Sequence, residues 1–242
     1  MIRIIMNKNK NTEAFIFGIF IFLGLGLLGV LLGNAAVKYK TLDRTVTVKG
    51  LSEREAEADI VIWPIQFSET GNDLTLLYDS IEESSSNIKT FLMQNGVQEG
   101  EITLSPPSIT DKSAREYGGE SASEFRYTST QTVTVYSTKV PEIRSLMNRL
   151  SELGKDGIVF TGNSYQIEYI FTRLNELKPE MIEEATTNAR AVAGKFAADS
   201  ESKLGKIKNA SQGQFSIYPR DNNNPHIKII RVVSTIEYYL SD

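Results

Sequence analysis

The sequence predicts an α+β fold: two strand-helix-strand-strand units, packed as mixed or antiparallel sheets with helices, preceded by one N-terminal transmembrane helix. Three observations predict it. An uncharged apolar run fills residues 14–33, segments of period-two alternation take turns with segments of helical period along the rest of the chain, and the element order of the first half recurs in the second.

Residues 14–33 comprise fourteen Phe, Ile, Leu or Val, five Gly and one Ala. As a helix they reach about 30 Å, the thickness of a hydrocarbon core. Arg3, Lys8 and Lys10 precede the run and put the N-terminus inside, although Lys38 and Lys40 after it blunt the asymmetry. The run is longer than the roughly 7–15 apolar residues of a cleaved signal, which favours a retained anchor, while Gly33-Asn34-Ala35-Ala36 offers small residues to a signal peptidase. The expected layout is a cytoplasmic stretch 1–13, a span 14–37, a tether 34–43 and one extracytoplasmic domain over 41–242. Gly29 and Gly33, four apart in the span, would let two such helices approach closely.

After the tether, Val46 and Val48 alternate with Thr in a short strand that Gly50 is expected to stop. A longer strand over 55–68 is apolar on both faces at its centre, and Pro64 implies a bulge or an edge position. Helical periodicity over 72–95 puts Leu74, Leu77, Tyr78, Ile81, Ile88, Phe91 and Leu92 on one face, interrupted by Ser84-Ser85-Ser86 and ended by Gly96. Strands are expected over 101–110 and 124–137, joined by a polar hairpin tip containing Gly118 and Gly119. A helix over 140–153 carries Ile143, Leu146, Met147 and Leu150. The second half then reads as a strand over 157–171, a helix over 175–204 with Met181, Ala185, Ala189, Val192 and Phe196 on its apolar face, and strands over 206–218 and 226–240.

Composition narrows the function classes. With 26 basic against 30 acidic residues, interspersed, nothing points to nucleic acid. No cysteine is present, so the exported part is held by its core alone, without disulfide or thiolate chemistry. Gly24-Leu25-Gly26-Leu27-Leu28-Gly29 has dinucleotide-binding spacing but lies inside the apolar run, without the strand that motif requires. His226, the sole histidine, has no Gly-x-Ser-x-Gly elbow to partner it and reads as a strand-edge or surface residue. Glu53, Glu55, Glu57 and Asp59 alternate along a strand as a solvated acidic face. Glu82 with Glu83 and Glu183 with Glu184 are helix neighbours that point apart, so neither pair converges on one substrate atom. Trp63, Tyr165, Tyr169, Tyr238 and Tyr239 fall on expected strands as core or subunit contacts. No catalytic residue, cofactor or metal site is expected.

Several of these segments together resemble a known family, the SIMPL-domain proteins of bacterial envelopes. The residues carrying the resemblance are Val46 to Gly50 with Asp59-Ile60, Leu92 to Ile102 with Gly96-Val97, Tyr127 to Val135, the Ala185 to Ala193 helix, Leu204-Gly205 and the closing strand Val232 to Leu240. The resemblance implies an α+β fold, an envelope location and, in some members, ring-like or channel-like oligomers. It also implies a link to oxidative-stress defence and to periplasmic immunogenic proteins, and it supplies no catalytic motif. The expected function is therefore a non-enzymatic, self-assembling scaffold, anchored in the inner membrane with its main domain periplasmic and serving an envelope or stress-related role. Its partners are then the membrane and other copies of itself, and the physiological ligand is unknown. The alternative is a binding module for a small apolar ligand or lipid.

Overall fold

A computed structural model describes residues 2–42, 44–115, 124–162 and 166–241, with side chains at 13–40, 44–113, 124–162 and 166–241. The expected hairpin tip at Gly118-Gly119, Tyr165, and the side chains of Arg3, Lys8 and Lys10 lie outside the described residues.

The chain opens with helix α1, Ile2–Leu42, followed by strands β1, Thr45–Glu57, and β2, Ile60–Gly71, and by helix α2, Leu74–Gln94. Strands β3, Ile102–Leu104, β4, Ser108–Asp111, and β5, Tyr127–Ser137, come next. Two short helices, α3, Val140–Met147, and α4, Ser151–Lys155, lead to β6, Val159–Phe160, and β7, Glu168–Ile170. Helix α5, Leu174–Asp199, then precedes β8, Lys203–Gln212, β9, Ser216–Pro219, and β10, Ile227–Ser241. The chain is α+β, and β10 with β8 and β9, β2 with β5, β6 and β7, and β5 with β3 and β4 all pair antiparallel. It divides into two compact units, one of Met1–Ser52, Met181–Gln214 and Val232–Asp242, the other of Glu53–Glu180 and Phe215–Arg231.

The second unit contains a six-stranded sheet of order β3-β5-β2-β6, in which β4 also pairs with β5 and β7 with β2. Period-two alternation aims Val61, Trp63, Ile65 and Phe67 of β2 and Val133 and Val135 of β5 at one face, where all are buried with Leu77, Ile81, Ile88 and Leu92 of α2. Pro64 sits between the short segments paired by β6 and β7, so its missing N–H faces a locally open edge. Asp73 caps α2, its Oδ1 accepting from the Thr75 and Leu76 amides at 2.8 and 3.1 Å. Gly96, at φ 90°, ends α2: its amide donates to Met93 O and that of buried Val97 to Leu92 O, both at 3.1 Å. The serine interruption has a structural cause, since Ser84 Oγ is turned inward and donates to Glu69 Oε1 at 2.6 Å. Leu74 and Tyr78 lie off the buried stripe and are exposed, contrary to expectation. The single helix expected over 140–153 is two, α3 and α4, broken at residues 148–150.

The first unit contains α1, most of α5, β8, and the adjoining parts of β1 and β10. The four-stranded sheet has the order β1-β10-β8, with β9 pairing β10. Here the buried side chains are Val48 of β1, Ile236 and Tyr238 of β10, and Ala189 and Ala193 of α5. The apolar face of α5 is built of Met181, Ala185, Ala189, Ala193 and Ala197, while Val192 and Phe196, expected on it, are exposed. Three consecutive helical spacings of alanine make a flat face that lets the helix axis approach the sheet.

Gly50 is where that approach is closest, and it corrects a second expectation. Rather than stopping a strand it lies inside the continuous β1, and a Cβ built on it would overlap the Ala185 carbonyl and the Ala189 amide of α5. Glycine serves here by lacking a side chain. The tether expected over 34–43 is likewise replaced, because residues 34–42 continue α1 as helix. Gly50→Ala is expected to lower unfolding stability by about 2–3 kcal/mol through overpacking against α5. Chemical denaturation of the full chain measures it, and an unchanged midpoint would contradict the close packing.

Candidate functional site

Helix α1 is the feature with the clearest function-bearing chemistry. Residues Glu13–Lys40 form a 28-residue stretch whose most apolar 18-residue window has a mean hydropathy of 2.8, and none of that window is buried. At about 1.5 Å per residue the stretch is about 42 Å long, so some 30 Å can cross hydrocarbon while the ends reach both interfaces. Glu13 stands at one end, and Lys38, Tyr39 and Lys40, all exposed, stand at the other, where charged and aromatic side chains suit the headgroup layer. Gly29 and Gly33 lie one turn apart, and nothing comes within 4 Å of a Cβ built on either. They present an open, small-residue face and are brought to no other candidate residue.

Within the second unit a group of ionisable side chains is buried that the sequence did not reveal as such. His226 is not at the surface: it is 9% exposed, its carbonyl accepts from the Ala58 amide at 2.8 Å, and its ring meets Tyr169 edge-on with centroids 6.0 Å apart. Its Nδ1 is buried without a hydrogen-bond partner. Burial pushes its pKa below the ordinary imidazole value, Arg144 adds to that, Glu57 opposes it, and Arg220 and Asp221 act more weakly in opposite directions. Burial likewise raises Tyr169, whose hydroxyl donates to Met147 Sδ at 3.8 Å. Lys228, two residues along β10, is 8% exposed and burial lowers its pKa. A buried ammonium without a counter-ion costs stability.

The acidic residues singled out in the sequence are dispersed. Glu53 lies 4.0 Å from Arg231, and Glu55 lies 3.5 Å from Arg220. Asp59 leaves the row altogether: its carboxylate accepts from the Thr172 and Arg173 amides ahead of α5 and pairs with Arg173 at 3.3 Å. Glu184 accepts from Ser52 Oγ at 2.8 Å, whereas Glu183, Glu82 and Glu83 are exposed. Among the described residues, no three His, Cys, Asp or Glu side chains gather as a metal-holding group. Asp221 is occupied by its own loop, accepting from the Asn223 and Asn224 amides and from Arg220 Nε, and the Arg220 guanidinium brings its pKa down to about 2.

Of the strand aromatics, Trp63 and Tyr238 are buried, Tyr169 is half-buried, and Tyr239 is exposed beneath Lys208 at 5.7 Å. Trp63 also borders a cavity of about 210 Å³, with Ile65, Met147, Leu150, Phe160 and Ile167 among its other walls. Met147 closes α3 and Leu150 lies in the break before α4, and both line this space.

The class is thus an antiparallel α+β protein of two compact units with an N-terminal helix long and apolar enough to cross a membrane. The model of the SIMPL family, described as a protein of unknown function (DUF541), matches residues 46–228, and the chain belongs to that family. No curated protein matches the chain.

Replacing Lys228 by the similarly long, uncharged Met removes the desolvated ammonium, so Lys228→Met is expected to raise stability by about 1 kcal/mol, a few degrees in Tm. Calorimetry of the full chain checks this, and a lowered Tm would show that the lysine is held by a favourable interaction.

Proposed function

We propose that this chain is a membrane-anchored extracytoplasmic protein, non-enzymatic, which assembles with itself into a scaffold at the membrane surface and serves an envelope or stress-related role. The observation that carries the anchored reading is the unbroken run of α1 from Ile2 to Leu42, leaving only residues 43 and 44 before β1. Residues 33–36, where a peptidase would cut a signal, lie inside that helix, which supports retention. The basic residues ahead of the span favour an inside N-terminus and an outside domain.

Self-assembly is supported by the surface of the first unit. Strand β8 is at the end of its sheet and exposed along nearly its whole length, including Ile207 at 48%. Unpaired backbone groups on such an edge are a ready template for another chain. Exposed Leu51, Val192, Phe196 and Tyr239 add apolar area on the same unit. The stress-related role rests on the family resemblance.

A second reading, a binding module for a small apolar ligand, is favoured by the Trp63 cavity. Its volume of about 210 Å³ and its apolar and aromatic walls suit a guest of about ten non-hydrogen atoms. Native mass spectrometry of the full chain released from its own membrane reads both properties. The scaffold predicts discrete multiples of the 27.0 kDa chain, and a strictly monomeric species over a wide concentration range would contradict it. A reproducible extra mass on each chain, lost in Trp63→Ala, would establish the binding module.

A further inference from the structure

The Trp63 cavity sits at a gap in the six-stranded sheet. Along one edge β2 is paired without interruption, residues 61–71 facing residues 127–137 of β5. Along the other edge β7 pairs residues 60–62 and β6 pairs residues 67 and 68. Thr161 extends the β6 side by one bond, its amide donating to the Gln66 carbonyl at 2.9 Å. Between these segments Trp63, Pro64 and Ile65 have no strand beside them, and there the cavity of about 210 Å³ opens.

Alternation along β2 decides what the gap offers. Trp63 and Ile65 turn their side chains to the buried face, while Pro64 and Gln66 fall in the opposite phase and meet the cavity along the strand edge. In an antiparallel ladder the backbone groups alternate with the same period. The Gln66 carbonyl points at Thr161, and Thr132, opposite Gln66, turns its own carbonyl away from β2 to the Ser105 amide. The Pro64 carbonyl, two residues back from Gln66, therefore points into the gap. Among the described residues no donor reaches it. Proline has no N–H to set beside that carbonyl, so at this position the edge accepts and never donates. The neighbouring Gln66 amide is covered by Gly162, whose ideal Cβ position lies 3.6 Å from Gln66 N. The other walls are apolar, with Met147, Leu150, Phe160 and Ile167 among them, and no ionisable side chain is among the described walls. A charged guest would lose its hydration there without a partner, whereas a flat ring gains contact with Trp63, with Phe160 and with the Met147 sulfur.

We propose that the cavity takes a neutral aromatic molecule carrying one hydrogen-bond donor, of the phenol or indole class. Its ring lies among Trp63, Met147 and Phe160, and its O–H or N–H donates to the Pro64 carbonyl. The proposal rests on the binding-module reading of this cavity and sharpens it. A cavity that selects on apolarity alone ranks guests by hydrophobicity, and the carbonyl reverses that order. Replacing the hydroxyl of a phenol by methyl keeps the shape and adds hydrophobicity, yet leaves the carbonyl without its donor.

Fluorine NMR of the full chain in phosphatidylcholine vesicles tests this with two probes of the same shape, para-fluorophenol and para-fluorotoluene. Line broadening beyond that in protein-free vesicles gives each affinity, referred to the free aqueous concentration. The phenol is expected to bind saturably and about fivefold tighter than the toluene, the ratio one net hydrogen bond gives. Leu150→Trp, which fills the space from a half-buried position, is expected to remove that binding. Equal affinities, or a tighter toluene, would overturn the donor requirement and leave an apolar binding site standing. Binding of neither probe would overturn both, and phenol binding unchanged in Leu150→Trp would put it outside the cavity and refute the assignment. Trp63 is the sole tryptophan and gives one indole N–H resonance, so the wild-type chain locates the site even where the variant fails to fold. The phenol is expected to shift that resonance over the same concentrations that broaden its own line, and an unmoved resonance contradicts the proposal.

Discussion

The contact between the alanine face of α5 and the bare backbone of β1 at Gly50 governs the first unit. Ala185, Ala189, Ala193 and Ala197 are essentially inaccessible, yet each buries little more than a methyl group. At about 25 cal/mol per Å² of apolar surface, such a face stabilises less per residue than the leucine and isoleucine stripe of α2. Close approach compensates in part, since dispersion strengthens as backbone meets backbone. The buried side chains around it, Val48, Ile236 and Tyr238, form a smaller cluster than the sixteen buried residues of the other unit's core. Beside this thin core, β8 is exposed along nearly its whole length.

The same unit contains α1. Helix α1 runs on to Leu42, and only two residues separate it from β1. Ala35, Ala36 and Val37 are compatible with helix, so nothing in residues 34–42 demands the break that a flexible tether would need. Lys38, Tyr39 and Lys40 are then exposed residues of the helix rather than of a linker. The first unit's sheet is closed just after the helix, where the Arg44 carbonyl accepts from the Leu240 amide at 2.8 Å.

Much of the fold was readable from local pattern, because α2, β2 and β5 bury faces with a clean period and carry their caps beside them. Asp73, Gly96 and the inward Val97 are all within three residues of the helix ends they fix. Misreadings arose wherever a distant partner decides the meaning of a residue. Gly50 looked like a terminator because glycine in a strand can mark an end or a close approach, and α5 lies more than a hundred residues away. Val192 and Phe196 looked like core because period alone cannot tell which side of α5 the sheet occupies, and the alanines took that place. His226 looked exposed because the groups that meet it are distant in sequence, Ala58 in the β1–β2 connection and Tyr169 on β7. The break between α3 and α4 was not legible, because the sequence offers no proline or paired glycine at residues 148–150.

Retention of α1 and the side on which the family domain stands are the central claim. The chain contains no cysteine, so single cysteines placed at Asn11 and Asn222 are each the sole target for a membrane-impermeant maleimide. The anchored account predicts a full-length product in both variants, with labelling of Asn222→Cys in intact cells or spheroplasts and of Asn11→Cys only after the membrane is opened. A product that has lost the Asn11→Cys site, or one labelled from outside at that site and not at Asn222→Cys, would contradict it.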